Sequence, residues 1–278
     1  MERGIPSLLP ESVARALAAE AARDAEDPSS TDLVAREART RDEESARYDD
    51  LYPDEEFRNE LDAYVRMLDP GPSDTVLDVG AGTGRVTKEF AARCGRLACA
   101  DLSVESLRRL SSRPGIREMR PLVVHADATA LPFADASFDR VAAFGILCML
   151  PGEALRRRFV DELHRVLRPG GVMVCATFHY AWVKRLWALA GRTDGALHEG
   201  FQNRGRVYYR NDTRAELVAL LERRFRVVEV RGVCHRVPFL SNASRDLARR
   251  LDGLLGHVPL AWRAFAAEQA ALCRKPGT

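Results

Sequence analysis

The run VLDVGAGTGR at residues 76–85 holds the chain's most informative chemistry. Three alternate glycines, Gly80, Gly82 and Gly84, follow an apolar stretch that carries Asp78. Glycine has no Cβ and tolerates positive φ, so a ligand can approach the backbone closely there. The spacing is G-x-G-x-G. The diphosphate pattern G-x-G-x-x-G would need its third glycine where this chain has Arg85. The P-loop ending Gly-Lys-Ser/Thr is absent as well. A carboxylate at Asp78 suits a cationic or hydrogen-bond-donating ligand better than a diphosphate. Asp101 ends the next apolar run, about twenty residues on, where an acid accepts hydrogen bonds from both hydroxyls of a ribose. Asp127 closes a third run, and His179 with Tyr180 follows a fifth. Strand ends of this kind form the ligand edge of an open α/β sheet.

The positioning elements alternate. Apolar strand runs fall at 75–79, 96–100, 122–125, 138–144 and 171–178, with helical patterns at about 85–94, 103–112 and 152–167. This alternation predicts an α/β fold, a doubly wound parallel sheet covered on both faces. Three helical stretches precede it, at about 12–25, 32–48 and 57–68. Residues 42–62 hold ten acids against two arginines, which reads as a solvated face. After the fifth strand the regularity fails. Residues 179–210 combine an aromatic, basic stretch with several glycines. Thr213 then predicts a helix cap, with Glu216 completing a capping box and the helix reaching Arg224. Strands follow at 225–232 and about 266–274, and the intervening 233–264 has a helical pattern.

Bulk properties remove several classes. Hydrophobic residues make up 46% of the 278, ample for a core and too many for a disordered chain. A net charge of +2 gives no case for a dedicated nucleic-acid binder. No apolar run is long enough for a transmembrane helix, and the first residues lack a signal-peptide pattern. The six cysteines form no C-x-x-C pair, so no metal is expected. Reduced thiols and a cytoplasmic setting fit them, although Cys94 and Cys99 are close enough in sequence to pair. The Ala and Arg richness matches a GC-rich bacterial genome.

The segments VLDVGAGTGR, ADLS, HADATALPF, SFDRVAAFGIL and ELHRVLRPGGVMV occur in an order that resembles the class I S-adenosylmethionine (SAM)-dependent methyltransferases. They span roughly residues 70–180. The resemblance implies a Rossmann-like, seven-stranded sheet in the order 3-2-1-4-5-7-6. Its last strand would run antiparallel, with N-terminal helices and a helical insertion after strand five. It divides the chain into an N-terminal helical segment at 1–69, covering the cofactor and acceptor site, and a methyltransferase domain at 70–278. Within the latter, 179–224 and 233–264 are the variable acceptor regions.

The same resemblance implies SAM as cofactor and S-adenosylhomocysteine (SAH) as product. Gly80, Ala81, Gly82 and Gly84 would line the methionine part, and Asp78 would meet its ammonium or else cap backbone. Asp101 would hold the ribose. Leu102 would pack on the adenine, and Asp127 with the Ala128 backbone would bind its amine, or Asp127 would simply cap a helix. Phe144 and Gly145 would border the sulfonium. Tyr48 would close over the cofactor or pack its own helix on the sheet. Arg85 would reach the SAM carboxylate or stay in solvent.

The acceptor is expected to be a small molecule, methylated at oxygen or carbon, in a monomer or homodimer. Such acceptors need a base, and His179 and Tyr180 sit at the right strand end. His164 reads as structural, His198 and His235 as pocket candidates, and His257 as peripheral. The apolar run 145–150 reads as a greasy acceptor wall or as core. Residues 181–236 hold twelve Lys/Arg against six acids, with Trp182, Trp187, Phe201, Tyr208 and Tyr209 among them. That fits an aromatic or anionic acceptor, or a solvated basic face. The rivals are an RNA or protein methyltransferase and a non-catalytic SAM-binding scaffold.

Overall fold

The computed structural model describes residues 4–18, 29–51, 58–179, 199–202, 207–235, 250 and 266–277. A seven-stranded sheet forms the centre. Its strands are β1 (Thr75–Val79), β2 (Arg96–Asp101), β3 (Leu122–His125), β4 (Phe138–Phe144), β5 (Leu167–Phe178), β8 (Arg226–His235) and β9 (Ala266–Arg274). Their order across the sheet is β3-β2-β1-β4-β5-β9-β8. The first five pair in parallel, while β9 runs antiparallel between β5 and β8.

Both faces of the sheet are covered, which is why its central strands read as near-continuous apolar runs. Side chains alternate along β1. Leu77 and Val79 join a core with Phe159, Val160 and Leu163 of α8 (Gly152–Val166) and Leu217 and Leu220 of α9 (Arg214–Leu221). Val76 faces the other way, with Tyr64 and Leu68 of α4 (Arg58–Leu68), Phe90 of α5 (Thr87–Ala91), and Leu107 and Leu110 of α6 (Val104–Ser112). Asp78 shares the parity of Val76 and therefore points into this second layer. The expected capping box is present in α9, where Glu216 N donates to Thr213 Oγ1 at 3.2 Å and Thr213 N donates to Glu216 Oε2 at 2.8 Å.

From β1 the chain builds outward to β2 and β3, then returns to place β4 on the opposite side of β1. The strand order reverses between β1 and β4, so a crevice opens beyond their carboxyl ends, where ligands bind in such sheets. The helix after the glycines is shorter than its pattern predicts. Residues 82–86 are spent on the turn, and α5 starts only at Thr87.

The N-terminal stretches form α1 (Glu11–Ala18), α2 (Ser30–Glu44) and the short α3 (Tyr48–Leu51). Ahead of them, Pro6 O accepts from His125 N at 2.9 Å, and Leu8 N donates to His125 O at 2.8 Å along β3. A single turn, α7 (Ile116–Met119), precedes β3. In the region after strand five, where a helical insertion was expected, the described residues form a hairpin of β6 (Glu199–Gln202) and β7 (Val207–Arg210). Residues 180–198 and most of 233–264 lie outside the described residues, as do Tyr180, His198, His257, Trp182 and Trp187. No helix among the described residues is long and apolar enough to cross a membrane.

Candidate functional site

The glycine turn is tied to β2. Gly80 N and Ala81 N donate to Ala100 O at 2.7 and 3.2 Å, and Gly82 N donates to Asp101 Oδ2 at 2.8 Å. Asp101 Oδ1 accepts from Ser103 N at 2.8 Å. Each carboxylate oxygen has a second lone pair, so Asp101 can hold the turn and still accept from a ligand hydroxyl. Burial raises its pKa, and the two amides that it binds oppose that rise.

Two glycines do different work here. Gly80 has φ +71°, and a Cβ added to it would fall 1.9 Å from Ile146 Cδ1. It is therefore glycine so that the turn after β4 can close on the turn after β1. Gly82 has φ +53°, and a Cβ there would meet nothing within 4 Å. The open ground lies above Gly82, beside Asp101.

Asp78 is 2% exposed, and its Oδ2 accepts from Thr87 Oγ1 at 2.6 Å. Burial pushes its pKa up to about 7, with the Thr87 hydroxyl acting against the shift. Asp78 thus anchors the start of α5. Asp127 Oδ1 accepts from Thr129 N at 2.7 Å and Thr129 Oγ1 at 2.9 Å, a local turn at the end of β3. Leu102 is half-buried, and its carbonyl lies 3.0 Å from His125 Nε2. His125 Nδ1 is 2.9 Å from Ser7 Oγ, so one imidazole links the N-terminal tail to the loop beside Asp101. Sequence reasoning gave His125 no role. Ala128 packs against the core.

At the end of β4 the Phe144 ring stacks on Tyr64, 4.0 Å between centroids and 10° between planes. Tyr64 Oη donates to Glu268 Oε2 at 2.7 Å. Of the apolar run that follows, Leu147, Cys148 and Leu150 are core, and Gly145, Ile146 and Met149 keep partial exposure. Cys148 Sγ donates to Gly145 O at 3.2 Å, and burial lifts its thiol to about 12. This wall is packing with two accessible side chains.

The acids read as a solvated face include three that hold the site together. Asp42 Oδ1 accepts from Ser103 Oγ at 2.6 Å and Glu105 N at 3.1 Å, fixing α2 to the start of α6. Asp49 accepts from Thr83 Oγ1 at 2.6 Å and pairs with Arg113, whose Nε donates to Thr83 O at 3.0 Å. Glu60 pairs with Arg85 at 3.0 Å, so Arg85 is engaged with a buried acid and is not a solvated cation. Periodicity missed these three because each partner lies far off in sequence. The Arg41 guanidinium pairs with Glu37 at 2.7 Å and Glu44 at 3.3 Å, and stands 5.9 Å from the ring centre of half-buried Tyr48. The N-terminal helices therefore sit on the glycine turn and the β2 loop.

His179 is 5% exposed; its backbone N–H donates to Ala267 O at 2.9 Å, and its backbone forms a parallel β-bridge with Asp212. Asp212 is fully buried. Arg156 Nη2 donates to both its oxygens at 2.7 and 2.8 Å, Thr177 Oγ1 donates at 3.2 Å and Arg210 Nε at 3.2 Å. Arg156 Nη1 donates to Leu147 O at 2.8 Å. One buried ion pair therefore joins the wall after β4, the end of β5 and the residues after the hairpin. His164 sits edge-on to Phe225, a packing role. His235 ends β8.

Known proteins show the same pattern. Residues 77–175 match a family model described as a methyltransferase domain. A demethylmenaquinone methyltransferase of Clavibacter sepedonicus is 38% identical over 117 residues, 42% of this chain and 46% of the relative. The chain thus spans less than half the length of that relative. Among solved structures, a Haloferax volcanii putative methyltransferase–Trm112 activator complex aligns with TM-score 0.60 at 17% identity, covering 85% of this chain and 97% of the other. A Burkholderia thailandensis 1,6-didemethyltoxoflavin-N1-methyltransferase, solved with its substrate and S-adenosylhomocysteine, aligns with TM-score 0.59 at 21% identity, covering 91% and 93%. These likenesses establish the fold.

Proposed function

We propose that this chain, which carries a class I SAM-dependent methyltransferase domain at residues 77–175, binds SAM over Gly82 and methylates a small molecule at oxygen or carbon. SAM, when bound, supplies a methyl group on a sulfonium and leaves as the neutral thioether SAH. The observation that carries the reading is the open ground above Gly82, beside a half-buried Asp101 with lone pairs to spare. A ribose needs that acid, and an amino-acid tail needs that bare backbone. The reading also assigns Gly80, Ala81, Gly84, Leu102, Asp127, Ala128 and Gly145 to this site, because they lie just after β1, β2, β3 and β4; Gly80 and Gly84 serve it by letting the turn pack on Ile146, Leu110 and Ile116. Asp78 acts from beneath, through Thr87 and the helix start. Tyr48, whose ring lies 5.9 Å from Arg41, is assigned the role of closing over the cofactor.

Ile146 and Met149 give the acceptor side an apolar surface. An apolar aromatic acceptor fits it, and a demethylmenaquinol-type naphthoquinol is the first to try because relatives carry that name. His179, directly after β5, and Tyr180, next in sequence and outside the described residues, are the groups assigned to proton removal. Methyl transfer is an in-line displacement, so the protein's main task is to hold the two reactants in line.

The test is calorimetric titration with SAM and SAH, run beside Asp101→Ala, followed by an acceptor screen with radiolabelled SAM. Binding that Asp101→Ala abolishes, with label transferred to a small molecule, supports the reading. Binding without transfer to any acceptor favours a SAM-binding scaffold. A folded protein that binds neither ligand refutes the cofactor assignment.

A further inference from the structure

Glu37 lies on α2, one turn before Arg41. Its Oε1 accepts from Arg41 Nε at 2.7 Å. Its Oε2 is buried and has no hydrogen-bond partner among the described residues. The side chain is only 17% exposed. An inward carboxylate oxygen with no donor is costly to keep. It calls for a cation or a donor that arrives with a ligand.

Its place is well determined. Asp42, five residues on, is bonded to Ser103 and to the amide of Glu105, so this end of α2 is fixed over the loop that carries Asp101. The Glu37 carboxylate has two electrostatic neighbours besides Arg41 and Glu44, namely Asp101 and Cys148. The charge of Asp101, at the end of β2, adds to the burial that raises the Glu37 pKa against the pull of Arg41. Glu37 in turn acts on the thiol of Cys148, in the turn after β4. Between those two strand ends lies β1 with its glycine turn. A cofactor with its ribose at Asp101 and its reactive end toward the β4 turn would place its sulfur between these groups. Asp78 cannot serve that sulfur, because it is sealed beneath the turn against Thr87.

We propose that Glu37 is the residue that distinguishes the positively charged sulfonium of SAM from the neutral sulfur of SAH. In its ionised form beside Arg41, the Glu37 carboxylate favours the cation on the way in and loses that attraction once the methyl group has left. Product release is eased by the same group that favours substrate entry. This inference rests on the SAM reading above.

The experiment measures the dissociation constants of SAM and SAH by calorimetry for the wild type, Glu37→Gln and Glu37→Ala. Glu44→Gln, which also loses a partner of Arg41, is the control. Circular dichroism and thermal unfolding establish that each variant is folded, and two Glu37 variants guard against one failing to fold. The preference for SAM over SAH should fall by at least on the order of tenfold in both Glu37 variants, the effect of losing a charge about 12 Å from the sulfonium at an effective dielectric near 20, and by more for a closer one. It should hold in Glu44→Gln. Equal weakening of SAM and SAH would overturn the inference, because Glu37 would then touch a part common to both. An unchanged ratio would overturn it as well. Wild type that binds neither ligand would remove the parent reading and this inference with it, an outcome distinct from the other two.

Discussion

Replacing Asp78 with Asn tests the account of the glycine turn most sharply. Asp78 is buried beneath the turn, with Thr87 Oγ1 as its donor. Burial pushes its folded pKa up to about 7, against an ordinary value of 3.8. A carboxyl group whose folded pKa is raised holds its proton more tightly in the native state. Its contribution to stability is therefore complete below pH 4 and is lost as pH climbs through 7. Asn is neutral throughout and keeps an oxygen for Thr87. Its extra NH2 carries a cost that does not vary with pH, so comparing two pH values cancels it. Between pH 5 and pH 8 the wild type loses about two pKa units of this linkage, or about 2.7 kcal/mol at 1.36 kcal/mol per unit. Urea unfolding at both pH values should show the Asn variant gaining about that much relative to wild type. A difference between the two proteins that stays flat from pH 5 to pH 8 would mean that Asp78 is ionised in the fold with an ordinary pKa, and the burial argument would be wrong.

Other outcomes follow from the packing. Gly82→Val should cost roughly 1–2 kcal/mol of stability from its left-handed backbone, while calorimetry shows SAH binding lost; retained binding would mean that the cofactor does not lie over Gly82. Gly80→Ala should destabilise by about 1–3 kcal/mol through overpacking against Ile146, and adding Ile146→Ala should recover part of that in thermal melts. Arg156→Met leaves Asp212 buried without its main partner and should cost about 3–5 kcal/mol in chemical denaturation; a loss under 1 kcal/mol would contradict the buried-pair reading. Asp42→Ala removes the two bonds between α2 and the start of α6, with a loss of roughly 0.5–2 kcal/mol expected for a cap. Faster hydrogen exchange over residues 30–44, with β1 unchanged, is its signature.

The sheet was legible because burial on two faces leaves a local mark. Strands at 75–79, 122–125, 138–144 and 266–274 have the bounds that their apolar runs suggest, and the Thr213–Glu216 cap lies within four residues. The antiparallel placement of β9 came from the family resemblance, since pairing leaves no period in a sequence. Asp78 and Asp101 were recognised as important, but their partners Thr87, Gly82 and Ser103 were not. The roles of Asp42, Asp49 and Glu60 were hidden in an acidic run whose average suggested solvent. Each finds a partner between 25 and 63 residues away. The hairpin at 199–210 was masked by its glycines and basic residues. Glu37 and His125 carried no local signal, because both act through partners brought together only by the fold.

The tail that runs beside β3 also protects the molecule. A sheet edge with free amides and carbonyls invites a second chain to pair with it. Pro6 and Leu8 occupy the pairing groups of His125 on that edge, and Pro6 has no amide to offer a further strand. A chain trimmed to begin after residue 8 would present an open edge beside exposed Leu122, and would also remove Ser7 from the imidazole that steadies the Leu102 loop. Self-association and a loosened Leu102 loop would then arrive together, so a gain in aggregation on trimming could be mistaken for a defect in ligand binding.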